Sequence, residues 1–378
     1  TYTLAAALMT IEWMLLLRYA RTRHPGWLIA VFAVNGLHVA DHLLGLLTLA
    51  TYGVLLLGQV IRRRMAARWL AVAALVWLVT AAPYWTLVLA SYQQTGDLAG
   101  TLRSAFFGGS ARTTGWSDSV MNLGLSAAQA RIVVLTFGYC FPSAAGVVAL
   151  VGLWWPANGR RRLFRRVLLA QTVIIGVFVA RYTIKDLYTY FVPICMLTAF
   201  WFGCGVAWLL RRVRRQRWVT GLLVLNAGLP LLVYAYFPVI AQQRGWLKGQ
   251  LRDAPYRDEY RAFFRPWRVN DDSAARFAHQ ALAELGDGGW LIGDNTTAFP
   301  VAITYLVQGG PAAVRVYWFR ECLTDPAQPP LTDDELGAHV RGGGRVLLVP
   351  SALIERRIPP PLEIDKTQPL WRVVAPTP

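Results

Sequence analysis

Before Ile240 the sequence is a succession of long apolar runs separated by short arginine clusters, a pattern that leaves few folds open. A helix that crosses a bilayer needs roughly 20 mostly apolar residues, because the hydrocarbon core is about 30 Å thick and a helix rises about 1.5 Å per residue. Runs of this kind lie at 3–20, 26–42, 44–61, 69–91, 131–155, 167–181, 188–210 and 218–240. We therefore expect an α-helical polytopic membrane domain of eight spans over 1–240, a linker over 241–270, and a small α/β soluble domain over 271–378. At 55% hydrophobic and 16% charged residues, the chain is too apolar for an ordinary soluble protein. The stretch 26–61 is divided at Asp41-His42, because charge is cheaper at an interface than in hydrocarbon. The run at 167–181 is short, which suggests a tilted, broken or partly interfacial segment.

The loops give the orientation. One set carries Arg18, Arg21 and Arg23; Arg62, Arg63, Arg64 and Arg68; Arg160, Arg161, Arg162, Arg165 and Arg166; and Arg211, Arg212, Arg214, Arg215 and Arg217. The other set, the Asp41-His42 turn and the loops 92–130 and 182–187, is poor in basic residues. The two sets alternate, so the positive-inside rule places the arginines in the cytoplasm and the C-terminal domain outside the plasma membrane. The net charge of +17 then serves topology and contact with anionic membrane lipid, and calls for no nucleic acid. Cysteine carries little information: Cys140, Cys195 and Cys204 fall in apolar runs, Cys322 stands alone, and there is no CxxC.

Polar groups at the outer ends of the spans are the candidate site residues. Asn35 to Leu44 places His38, Asp41 and His42 in or beside a turn between apolar helices. Arg181 to Pro193 mixes charge and aromatics, with Tyr182, Lys185, Asp186, Tyr188 and Tyr190 at the mouth of the next helix. The 92–130 loop adds Phe106-Phe107-Gly108-Gly109 and Trp116. All three converge on one face, where ionisable groups are functional candidates by default. A plainer reading stays open, in which His42 caps a helix, the tyrosines form an interfacial belt and Lys185–Asp186 is a local ion pair. Glu12 sits inside the first run and must face the protein interior or a partner. His38 and His42 have helix spacing for two metal ligands, but no HExxH glutamate lies between them and the turn breaks the helix. Arg and Asp at such a mouth suit phosphate and sugar hydroxyls better.

After Asp271 the pattern alternates. Ala274–Leu285, Thr297–Val307 and Leu331–Val340 read as helices, the last with Thr332 as its cap. Trp290–Gly293, Val314–Tyr317, Arg345–Val349 and Trp371–Val374 read as strands, which together predict an α/β layer domain. Gly293-Asp294-Asn295-Thr296 occupies a strand-to-helix position favoured for ligands, but without GxGxxG or GxxxxGK[ST] it is no nucleotide loop. Gly342-Gly343-Gly344 reads as a turn.

Several of these segments resemble a family of bacterial membrane proteins similar to protein O-mannosyltransferases, with the GT-C glycosyltransferase architecture. The resemblance rests on Tyr2-Thr3-Leu4, on Asn35-Gly36-Leu37 through Asp41-His42-Leu43, on Lys185-Asp186-Leu187-Tyr188-Thr189-Tyr190-Phe191-Val192-Pro193, and on Gly289-Trp290-Leu291-Ile292-Gly293-Asp294-Asn295-Thr296-Thr297-Ala298-Phe299-Pro300, which is similar to the family's strand–GDNDTF–helix segment. Asp41 stands where the family has Asn. The resemblance implies a transferase of the bacterial inner membrane that moves a sugar from a polyprenyl-phosphate donor to a protein or glycan acceptor on the outer face. Arg181 and Lys185 would meet the donor phosphate, with His42 and Tyr182 also binding substrate. The family's main carboxylate sits in the first outer loop. This chain opens on Thr1 with no initiator Met or signal peptide, and is expected to lack that segment. Asp41 and Asp186 are the remaining candidates for the base. No cofactor is implied, and a divalent cation is left open. A transporter or flippase, with internal repeats and helices broken at midplane, and a non-catalytic membrane scaffold are the rival readings.

Overall fold

The computed structural model describes residues 2–107, 124, 126–154, 159, 161–182, 190–246, 258–265, 271–294, 296–325, 327–350, 355 and 358–376. The chain forms two compact units, Thr1–Pro230 and Leu231–Pro378. Acidic and basic residues balance in 231–378, so the whole excess of positive charge lies in the first unit.

The first unit is helical. Its elements are α1 (Tyr2–Thr22), α2 (Pro25–Asp41), α3 (Gly45–Ile61), α4 (Arg68–Thr80), α5 (Ala82–Thr95), α6 (Leu98–Phe107), α7 (Ala127–Cys140), α8 (Ala145–Trp154), α9 (Arg161–Arg181), α10 (Val192–Arg212) and α11 (Gln216–Gln243), the last shared with the second unit. Helices occupy each of the eight apolar runs. Among the described residues four helices (α1, α9, α10 and α11) are long and apolar enough to cross a membrane, or up to six crossings if each of two bent pairs makes one. The run at 167–181 belongs to a 21-residue helix, because the basic turn from Arg161 extends it.

The bent pairs have a covalent cause. The α4–α5 pair bends by 68° where Pro83 enters the first turn of α5. The α7–α8 pair bends by 101° around Phe141-Pro142. Proline cannot donate to the preceding turn, and it drives the residue before it out of the helical region; Phe141 has φ −129° and ψ 65°. Helix α6 and the end of α5 occupy the first part of the expected 92–130 loop.

The helical core gathers Leu16 and Tyr19 of α1, Leu28 and Phe32 of α2, Tyr52 of α3, Leu168 and Ile175 of α9, and Leu197 and Trp201 of α10. Helices α8 and α10 cross at two glycines. A Cβ on Gly152 would run into the carbonyl oxygen of Trp201, and one on Gly205 into that of Val148. Small residues are what let helix backbones approach this closely.

The second unit contains α12 (Glu259–Phe264) within the expected linker, and then α13 (Ser273–Leu285), β1 (Trp290–Gly293), α14 (Ala298–Gln308), β2 (Arg315–Trp318), β3 (Glu321–Cys322), α15 (Asp333–Arg341), β4 (Val346–Leu348), β5 (Glu363–Asp365) and β6 (Trp371–Val374). The strands form one mixed sheet in the order β3-β2-β1-β4-β6-β5. Strand β1 pairs in parallel with β2 and β4, while β3, β5 and β6 pair antiparallel to their neighbours. Alternate residues of β1 serve the two faces. Leu291 packs with Phe277 and Leu285 of α13 and Val301 of α14. Trp290 and Ile292 pack with Leu336 and Val340 of α15. Thr332 caps α15 in a reciprocal box, its Oγ1 accepting from Glu335 N while Glu335 accepts from Thr332 N.

Candidate functional site

Two polar clusters lie in the helical unit, one fully buried and one around the α2–α3 turn.

The buried cluster is centred on Glu12, with no solvent exposure. Its Oε1 accepts from Asn35 Nδ2 at 3.1 Å and lies 2.9 Å from His38 Nδ1. Its Oε2 accepts from Tyr52 Oη at 2.9 Å. A carboxylate in an apolar interior is costly unless donors replace its water, and α2 and α3 supply three. Asn35 Nδ2 also reaches Gly45 O at 3.0 Å and Thr48 Oγ1 at 2.9 Å, and Trp77 of α4 donates to Asn35 Oδ1 at 3.0 Å. Next to it, Gln171 of α9 accepts from Trp13 at 2.9 Å and donates to Thr51 at 3.1 Å. Five helices are thus joined by side chains. Glu12 faces the interior, as its place in an apolar run requires; its partners lie 23 to 40 residues along the chain.

This cluster clamps both sides of the α2–α3 turn. Asn35 and His38 belong to α2, and Gly45 and Thr48 to α3. His42 ends α2 with its N–H donating to His38 O at 2.7 Å, and its ring Nδ1 accepts from Leu44 N at 3.1 Å. So His42 does cap a helix. Its ring also lies 4.9 Å from that of Tyr2 and 6.0 Å from that of Tyr190. Tyr190 lies 4.7 Å from Tyr182, which stacks on Phe178 at 5.1 Å. The backbone of Tyr182 is held by Gln129 of α7, whose Nε2 donates to its carbonyl at 3.1 Å. The start of α1, the α2–α3 turn, the end of α9 and the start of α10 therefore meet in one aromatic cluster.

Of the residues expected at the site, His42 and Tyr182 are brought together, through Tyr190. Asp41 ends α2 beside His42, and its Oδ2 is buried with no hydrogen-bond partner among the described residues. Arg181 closes α9 next to Tyr182. Lys185, Asp186 and Tyr188 lie outside the described residues, as do Gly108, Gly109 and Trp116. Tyr2 was not among the expected residues. Its signals in the sequence were an aromatic hydroxyl at the mouth of the first run and its place in the Tyr2-Thr3-Leu4 segment of the resemblance. His38 and His42 do not share an ion: one faces Glu12, the other the tyrosines, and no group of three metal-ligating side chains occurs among the described residues.

In the second unit the strand-to-helix loop is organised by the side chain of Asp294. Asp294 Oδ1 accepts from Thr296 N and Thr297 N at 3.0 and 3.1 Å and from their hydroxyls at 2.7 and 2.9 Å.

Comparison with known families, characterised proteins and solved structures finds no match to this chain.

Proposed function

We propose that this chain is part of a bacterial inner-membrane glycosyltransferase of the GT-C type, similar to protein O-mannosyltransferases, with its C-terminal unit outside the cell. The sugar would pass from a polyprenyl-phosphate donor to a protein or glycan acceptor. The observation that carries this reading is the buried Asp41 Oδ2, without a hydrogen-bond partner among the described residues, beside the Tyr2–His42–Tyr182–Tyr190 cluster. A buried carboxylate oxygen without a donor is costly, and a sugar or acceptor hydroxyl would satisfy it. Aromatic faces suit the apolar face of a sugar ring, and Arg181 suits a phosphate at the end of its helix. Asp41 in this role would accept the proton of the attacking hydroxyl.

The test is binding. A photoreactive polyprenyl-phosphate sugar should label the reconstituted protein, with competition by unlabelled donor. Asp41→Asn and His42→Ala should each weaken labelling by roughly tenfold or more, the scale of one lost charged hydrogen bond. Equal labelling of wild type and both variants would remove the site.

Proton-coupled transport is the second reading, favoured by the Glu12–His38 pair within the helical unit. It requires solute uptake by proteoliposomes that stops in Glu12→Gln, whereas the transferase reading requires none.

A further inference from the structure

Helix α14 departs from the pattern of an ordinary surface helix. One side packs on the sheet through Ala298, Val301 and Ala302. The opposite side carries Phe299, Ile303, Leu306 and Val307, which are 38%, 57%, 60% and 76% exposed. Their spacing of four, three and one places them in a single stripe along the helix. Trp318 of β2 extends the stripe, its ring 5.8 Å from that of Phe299. The eleven residues of α14 include no Asp, Glu, Lys or Arg. The neighbouring α13 shows the usual arrangement: it buries Phe277 and Leu285 and exposes Arg276 and Gln280. A helix that is apolar all round belongs in a protein core or in lipid, and α14 is only half covered.

We propose that the outer stripe of α14, with Trp318 at its end, rests on the surface of the lipid bilayer. The inference depends on the membrane reading above and goes beyond it, because it adds a second membrane contact outside the spans.

Three observations favour lipid over a protein partner. The second unit starts at Leu231, inside α11, a helix long and apolar enough to cross a membrane. The part of α11 within that unit exposes Leu231, Leu232, Tyr236 and Ile240. The unit is therefore tethered where a span leaves the membrane, and a tether turns a weak surface contact into a populated one. Next, apart from the Trp318 indole N–H at its end the stripe offers no side-chain hydrogen-bonding group, whereas specific protein interfaces carry about one hydrogen bond per 100–200 Å². Finally, Phe299 with the aliphatic residues of its helix face, and Trp318 of β2 beside it, match the apolar side of helices that lie in the headgroup boundary.

The experiment uses the full chain in lipid nanodiscs, with a diazirine amino acid placed at Val307, Val224 or Gln280 and the adducts read by mass spectrometry. Val224 is 68% exposed on α11 and reports whether that helix is in lipid at all. Gln280 reports the polar face of α13. Phospholipid adducts at Val307 and Val224, with solvent adducts at Gln280, are the expected result. Solvent adducts at Val307, crosslinks from Val307 to residues 1–230 or to a second copy, or lipid adducts at Gln280 equal to those at Val307, would overturn the proposal while leaving the spans intact. Loss of lipid adducts at Val224 would instead overturn the membrane reading itself, and this proposal with it.

Discussion

Glu12 Oε1 and His38 Nδ1 lie 2.9 Å apart with neither side chain exposed to solvent. Asn35 shares Oε1 with His38, and Tyr52 holds Oε2, so removing Glu12 takes a partner from all three. Glu12→Ala should destabilise the helical unit by about 2–5 kcal/mol, because buried groups on His38 and Tyr52 lose their partner at about 1–3 kcal/mol each. Glu12→Gln, which keeps acceptor capacity at Oε1, should cost less. Unfolding in mixed micelles measures both. A double-mutant cycle with His38→Ala should give a coupling of at least ~1 kcal/mol.

The α8–α10 crossing gives an independent prediction. Gly205→Ala should destabilise the protein by about 1–3 kcal/mol, because the new methyl has backbone and not a flexible side chain in its way. Gly58→Ala in α3 has nothing within 4 Å of the new Cβ. It should be neutral or stabilising by up to about 1 kcal/mol, from helix propensity. Midpoints of thermal unfolding in one detergent decide the comparison.

His339 of α15 stacks on Trp290 with ring centroids 3.8 Å apart and planes 3° apart. Burial holds its imidazole below the ordinary histidine value, and the charge of Arg315 acts in the same direction. The fold thus favours the neutral ring. Its contribution is full above the unfolded value of about 6.5 and is lost as pH falls from there through the folded value. In histidine-selective NMR of the full chain, the signal missing from His339→Phe should titrate below the ordinary histidine value of about 6.5. Titration at or above that value would contradict the buried stack.

Topology is open to direct labelling. In a background without native cysteines, a membrane-impermeant thiol reagent on intact cells should reach Cys placed at Gln280. It should miss Cys at Gly159, in the loop of the Arg160–Arg166 cluster. The reverse pattern would turn the Asp41 face toward the cytoplasm.

What could be read in the sequence follows the range of the interactions involved. Thr332 and Glu335 are three residues apart, so their cap is a local pattern and appears as expected. The helices stand where the apolar runs stand because each run is its own signal. Hydropathy is indifferent to bending, however, and so 69–91 and 131–155 each read as one span, with no sign of the bends at Pro83 and Pro142. Strands β3 and β5, of two and three residues, are too short to show a period. At the site, the alternation of loops put His42 and Tyr182 at the same end. The spacing of His38 from His42 gave no partner for either ring, and the partner of His38 is Glu12, a pairing 26 residues long that only packing creates.

The break at Pro142 also bears on the solvent around the protein. At about 1.5 Å per residue, the fourteen residues of α7 reach roughly 21 Å and the ten of α8 roughly 15 Å, each short of a hydrocarbon core of about 30 Å. Between them the chain satisfies itself only in part, with Ser143 N donating to Phe141 O at 2.7 Å and Ala145 N to Ser143 Oγ at 3.3 Å. Lipid tails cannot serve backbone groups at such a corner, so in the membrane reading a neighbouring helix, water or headgroups must meet it. The elbow then ties stability to local membrane thickness, and the protein is expected to fare better among short acyl chains than long ones, which unfolding in lipids of graded chain length would show.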